Sequence, residues 1–145
     1  MDKNLLTYLQ GGVDYGIIGL LLLLSVVTLW LYIERVLFFG SIRNSDYKDR
    51  DILEMELTNN IGVISAIGSN APYIGLLGTV VGIMLTFYTM GDAGAVDAKK
   101  IMVGLALALK STAMGLIVAM PAIIAYTILL RKIEKILTIY DVEKS

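Results

Sequence analysis

Small and hydroxyl-bearing residues recur along one face of each of two long apolar segments. Their spacing of i, i+4, i+7 and i+11 places each set on a single stripe of a helix. The first stripe is Gly75, Thr79, Gly82 and Thr86, and the second is Ala108, Thr112, Gly115 and Ala119. A threonine hydroxyl both donates and accepts hydrogen bonds, so it can bond a neutral or a charged carboxyl group, or relay a proton through water.

Spacing alone leaves two interpretations of these stripes open. Small residues let helix backbones approach closely, and a threonine hydroxyl can bond its own preceding carbonyl, so the stripes could simply pack two helices together. Alternatively, they line an internal cavity, where the hydroxyls hold water or face a polar group on another chain.

The remaining composition excludes several chemistries. The 145 residues include no histidine and no cysteine, which excludes zinc and iron–sulfur sites, disulfides, thiol nucleophiles and imidazole bases. We therefore expect no metal and no cofactor. A net charge of −1 offers no basic surface for nucleic acid. No segment is long enough for a soluble catalytic domain, so we expect no enzyme.

The apolar composition points to a lipid bilayer as the solvent. Hydrophobic residues make up 57% of the chain, charged residues 17%, and the mean hydropathy is +0.75. Roughly 20 apolar residues in a helix cross about 30 Å of hydrocarbon. We predict an all-α membrane protein with transmembrane helices at 15–39, 71–90 and 101–130. Pro72 predicts a separate or kinked helix before the second span, and Pro121 predicts a kink in the third.

The distribution of lysine and arginine predicts the topology. Three lie on one side of the spans and eight on the other. By the positive-inside tendency, segments 1–14 and 91–100 are extracytoplasmic, and segments 40–70 and 131–145 are cytoplasmic. The second and third helices should extend into the cytoplasm. Charged and apolar residues alternate from Asp46 to Leu57, which predicts a short surface helix within the first cytoplasmic segment.

Two blocks of sequence carry a family pattern. The first is NAPYIGLLGTVVGIM at 70–84, followed by Phe87. The second is GLA at 104–106, AL at 108–109, TAMGL at 112–116 and AMPA at 119–122, with Tyr126. In order and spacing these blocks resemble the last two spans of the ExbB/TolQ/MotA proton-channel superfamily, most closely its ExbB and TolQ branch.

The resemblance implies a subunit of a proton-driven motor in the bacterial inner membrane. Members of this family form ring-like homo-oligomers, commonly pentamers, whose pore encloses the single transmembrane helices of an ExbD- or TolR-like partner. That partner supplies an aspartate that takes and releases protons. In an ExbB-like system the motion passes to a TonB-like protein and energises transport across the outer membrane.

Other functions stay open at this stage. The first alternative is a TolQ-like subunit of the Tol-Pal envelope-maintenance system, and the second is a MotA-like stator subunit. The segment 39–60 is too short for the large cytoplasmic loop usual in MotA-type proteins. A self-contained transporter or a structural anchor is a third class.

The resemblance also implies roles for single residues. Thr79 and Thr112 match the pore threonines of the family and are assigned to the proton path. The neighbouring pore lining would be Gly75, Gly82, Thr86, Ala108 and Gly115. No Asp or Glu occurs between 57 and 91 or between 101 and 133, so we expect the titrating acid of the pore to come from another chain.

One position departs from the family pattern. Many ExbB and TolQ sequences carry a glutamate where this chain has Leu107, and Lys110 follows one turn later. At roughly 100° per residue, Lys110 lies about 160° from Thr112 on the helix. Lys110 either snorkels to the outer membrane interface or forms an ion pair with an acid on a neighbouring chain.

Overall fold

A computed structural model describes residues 3–93 and 97–145. Within these residues the regular structure is entirely helical: α1 (Lys3–Ser41), a 3₁₀ turn (Asn44–Asp46), α2 (Arg50–Leu57), α3 (Ile61–Ala93) and α4 (Ala98–Lys144). Three of these helices, α1, α3 and α4, are long and apolar enough to cross a membrane. The prediction of an all-helical chain with three candidate spans is therefore confirmed.

Two of the helices are much longer than one membrane crossing. The 33 residues of α3 and the 47 of α4 correspond to about 50 and 70 Å at 1.5 Å per residue, against about 30 Å of hydrocarbon. Pro72 and Pro121 lie inside α3 and α4 and end neither. The segment before Pro72 is thus the first part of α3 and not a separate helix.

Apolar side chains gather in two clusters. In the central cluster, Leu21 of α1 meets residues of α3 and α4: Ile67, Ala71, Val118, Ala119 and Ala122. The second cluster gathers α2, the start of α3 and the last turns of α4 around Leu53, Leu57, Ile61, Ile64, Leu129, Ile133, Leu137 and Tyr140. Asn60, at a φ of 65°, makes the turn from α2 into α3, a conformation that asparagine tolerates better than most residues.

A buried arginine fastens α2 to the end of α1. Arg35 is only 4% exposed, and its Nη1 donates a hydrogen bond of 2.7 Å to the Glu56 carbonyl in the last turn of α2. Its other nitrogens donate to the Glu34 carboxylate at 2.5 and 2.6 Å. The guanidinium lies 4.5 Å from the centre of the Phe38 ring. A cation is favourable at this position because helix carbonyls carry partial negative charge at their C-terminal end.

Polar contacts also attach α2 and the segment before it to α4. Arg50 forms an ion pair of 3.0 Å with Asp141, and the Tyr140 hydroxyl donates to the Tyr47 carbonyl at 3.0 Å. The Tyr47 hydroxyl donates to the Glu56 carboxylate, and this hydrogen bond raises the pKa of Tyr47 to about 12. The short helix predicted within Asp46–Leu57 is therefore present as α2. Polar contacts connect it to α1 and to α4.

We expect Arg35→Gln to loosen α2. A hydrogen bond from a charged group contributes about 1.5 to 3 kcal/mol, so the opened form should become roughly tenfold or more populated. Trypsin cleavage after Arg43 and Arg50, measured on the purified protein, should accelerate accordingly. Arg131→Gln, which removes an exposed arginine of α4, is the control. Equal cleavage rates in the two variants would contradict this role of Arg35.

Candidate functional site

The two small-residue stripes lie against each other at the interface of α3 and α4. A Cβ built on Gly75 would lie 2.6 Å from the Ser111 carbonyl oxygen and 3.1 Å from the Gly115 Cα. One built on Gly82 would lie 3.0 Å from the Ala108 Cβ. These backbones are therefore as close as they can be, and only glycine fits at the closest points.

Thr79 and Thr112 meet at the centre of this interface. Thr79 is only 6% exposed, and its hydroxyl is hydrogen-bonded to the Thr112 hydroxyl. The Thr79 hydroxyl also lies 2.8 Å from the Ala108 carbonyl across the interface and 3.3 Å from the Gly75 carbonyl of its own helix. A hydroxyl has one proton, so Thr79 can donate to Ala108 while it accepts from Thr112.

Thr112 is the outer member of this pair. It is partly exposed, whereas Thr79 is buried. Its hydroxyl oxygen keeps an acceptor position beyond its bond to Thr79. A polar group brought against α4 by another chain would therefore meet Thr112 before Thr79.

The other hydroxyls at this interface are used differently. Thr86 donates to the Gly82 carbonyl of its own helix at 2.8 Å, and a Cβ on Gly104 would lie 2.5 Å from the Thr86 side chain. Ser111 is 4% exposed, and its hydroxyl has no hydrogen-bond partner among the described residues. The sequence interpretation missed Ser111, although Gly104, Ala108, Ser111 and Gly115 show the same stripe spacing.

The structure therefore joins seven of the predicted site residues at one helix interface and separates the eighth from them. The seven are Gly75, Thr79, Gly82, Thr86, Ala108, Thr112 and Gly115. Lys110 is exposed and lies away from the interface of α4 with α3, as its angle from Thr112 predicts. Leu107 lines a cavity of about 470 Å³, and Gln10 and Lys99 line the same cavity. Pore lining by these residues stays a prediction, because a pore belongs to an assembly of several copies.

These features define a class of protein: a membrane protein of three long helices whose polar residues lie at a tight interface of two spans. Residues 33–142 match the MotA/TolQ/ExbB proton channel family. The chain belongs to this family, and it is an ExbB-like biopolymer transport protein.

Three relatives show the extent of the similarity. A Helicobacter pylori protein named ExbB-like 2 is 55% identical over 130 residues, which cover 90% of this chain and 87% of that protein. The biopolymer transport protein ExbB of Aquifex aeolicus is 55% identical over 126 residues, covering 86% and 85%. The Tol-Pal system protein TolQ of Haemophilus influenzae is 38% identical over 88 residues, covering 61% and 38%.

Proposed function

We propose that this chain forms the ring of a proton-driven motor in the bacterial inner membrane. Together with an ExbD-like single-span partner it energises TonB-dependent transport across the outer membrane. The N-terminus is periplasmic and the C-terminus cytoplasmic. The observation that carries this proposal is the Thr79–Thr112 hydroxyl pair, which lies at the interface of the two spans that resemble the pore helices of the family.

The hydroxyl pair can serve both protonation states of a partner carboxyl group. A neutral carboxyl O–H donates to Thr112, Thr112 donates to Thr79, and Thr79 donates to the Ala108 carbonyl, which lies 2.8 Å away. When the carboxyl group gives its proton to water in the pore, both hydroxyls turn. Thr112 then donates to the carboxylate, and Thr79 donates to Thr112. Two hydroxyl rotations thus exchange one bonded arrangement for another.

The membrane-crossing parts of the two helices that carry the hydroxyl pair supply no acid, so we infer that the acid comes from another chain. The sequence from 57 to 91 and from 101 to 133, which includes the membrane-crossing parts of α3 and α4, contains no Asp or Glu. A threonine hydroxyl can relay a proton, but it does not titrate near neutral pH. The chain by itself would therefore be an incomplete motor, and a partner with a membrane-embedded aspartate would complete it.

A TolQ-like role in envelope maintenance is the second candidate. The similarity to TolQ of H. influenzae favours it, since that match spans 61% of this chain. The matches to proteins named ExbB or ExbB-like extend further, over 86 to 90% of this chain. An ExbB-like role is therefore better supported.

The test is proton flux in proteoliposomes loaded with a pH-sensitive dye. We expect the chain alone to give no flux above protein-free liposomes. Co-reconstitution with an ExbD-like partner should give flux, and replacement of the partner's intramembrane aspartate by asparagine should abolish it. Flux from the chain alone, at the level of the complex, would contradict the proposal and favour a self-contained transporter.

A further inference from the structure

Asp14 of α1 and Lys110 of α4 lie at nearly the same depth along two parallel helices. Gln10 shares a cavity with Gly104 and Leu107. Three-quarters of the way along α1, Tyr32 and Ile128 line another cavity, of about 420 Å³. With equal rise along both helices, Asp14 falls level with the segment between Ala108 and Ser111.

A contact below Asp14 gives the same alignment. A Cβ built on Gly78 would lie 3.3 Å from the Ile17 side chain and 2.0 Å from the Ser111 hydroxyl. Both residues therefore approach the same position on α3. Ile17 is therefore level with Ser111. Asp14 is less than one turn above Ile17, which leaves Asp14 and Lys110 within one helical turn in depth.

Asp14 lies on the face of α1 that packs against the rest of the chain. Leu21, Thr28 and Arg35 are the buried residues of this helix in the part whose side chains the structure describes. They follow Asp14 at intervals of seven residues, which is nearly two full turns, so all four share one face. Thr28 lines the cavity between α1 and α4, and Asp14 is itself partly buried.

Lys110 lies on the side of α4 that borders α1. It follows Val103 by seven residues and precedes Ile128 by eighteen, which are about two and five turns, so the three share one face. Val103 and Ile128 each line a cavity to which α1 contributes. In two parallel helices both side chains tilt toward the same end, and the Lys110 stem, which is longer than the Asp14 side chain, lets the amine reach the level of the Asp14 carboxylate.

We propose that Asp14 and Lys110 form an ion pair that fastens the outer half of α1 to α4 within one chain. The three ion pairs found among the described residues involve neither group, so the lysine stem must rotate to make this one. The driving force is the cost of leaving the Lys110 amine without a counter-charge at the outer boundary of the bilayer, where the uncharged stretch of α1 begins after Asp14. The pair is an alternative both to snorkelling and to an ion pair with an acid of a neighbouring chain. It does not depend on the proposed motor function.

The first test is the thermal unfolding of the full chain in lipid nanodiscs. Asp14→Asn and Lys110→Gln should each lower the unfolding midpoint by several degrees, because each leaves one charge unmatched. The double variant should be no less stable than either single variant, and the exchange of Asp14→Lys with Lys110→Asp should recover most of the loss. Lys100→Gln, at the exposed start of α4, is the control. Additive single effects, with no recovery by the exchange, would overturn the pair.

The second test locates the contact and works even where a charge variant is unstable. The chain has no cysteine, so Asp14→Cys with Lys110→Cys can be joined by a short bis-maleimide in membranes. Denaturing electrophoresis is run before and after trypsin cuts the segment between α1 and α2. A single-chain band before the cut, whose two fragments stay joined after it, supports the pair within a chain. A band at twice the mass of one chain before the cut, or fragments that separate after it, would overturn it.

Discussion

A Thr79→Val chain should assemble with its partner yet pass few protons. Valine keeps nearly the shape of threonine, so the packing of α3 on α4 is retained, but Thr112 loses the hydroxyl to which it is bonded. The two-hydroxyl exchange is then broken. A hydrogen bond to a charged group contributes about 1.5 to 3 kcal/mol, which corresponds to a loss in flux of roughly tenfold or more. Thr112→Val should have at least as large an effect, because Thr112 is the less buried of the two.

Thr127→Val provides the matched control. Thr127 lies on α4, as Thr112 does, is exposed, and donates to the Ile123 carbonyl at 2.9 Å, so the chemical change is identical at a distance from the interface. Co-purification with the partner and proton flux should be measured on the same preparations. If Thr79→Val fails to co-purify, Thr79 is a packing residue. Normal flux with normal assembly would remove Thr79 from the proton path.

Gly115→Ala should separate α3 from α4. The added Cβ would lie 2.7 Å from the Ala71 carbonyl oxygen and 3.0 Å from the Gly75 Cα. Both are backbone atoms, so no side chain can move aside, and the helices themselves must shift. Overpacking of this kind costs about 1 to 3 kcal/mol. The shift would also lengthen the Thr79–Ala108 hydrogen bond, so proton flux should fall together with stability.

Gly19→Ala tests whether this loss is steric. A Cβ on Gly19 of α1 meets nothing within 4 Å, and alanine is favoured over glycine in a helix by about 0.5 to 1 kcal/mol. Thermal unfolding in lipid nanodiscs should therefore place Gly115→Ala below the parent chain and Gly19→Ala at or above it. Equal midpoints for the two variants would show that the close approach at Gly115 does not limit stability.

The sequence predicted features that depend on local pattern. The candidate spans follow from apolar composition, and the two stripes follow from helical periodicity. The contact between Thr79 and Thr112 could not be predicted from local sequence pattern, because the angle and depth at which two helices pack are set by all the residues along their interface. In one chain the stripes pack together as the first interpretation held, while the pore remains a proposal for the assembly.

Long-range contacts account for what sequence patterns missed. Arg35 at the end of a span is typical of an interface anchor, but α2 folds back over it and buries it. Asp14 ends the uncharged stretch, yet α1 continues through it to Lys3, since helix formation does not require apolar residues. Pro72 and Pro121 each remove one backbone donor, but packing against neighbouring helices over-compensates for that loss.

The length of α4 gives the chain a mechanical property. A continuous helix of 47 residues is about 70 Å long, more than twice the thickness of about 30 Å of hydrocarbon. If such a rod pivots by about 5° near its first turns, its far end sweeps roughly 6 Å, about one helical pitch. Through the Arg50–Asp141 pair, α2 would travel with that end. An angular change too small to disturb the close-packed glycines would thus become a displacement large enough to break and remake contacts on a neighbouring protein.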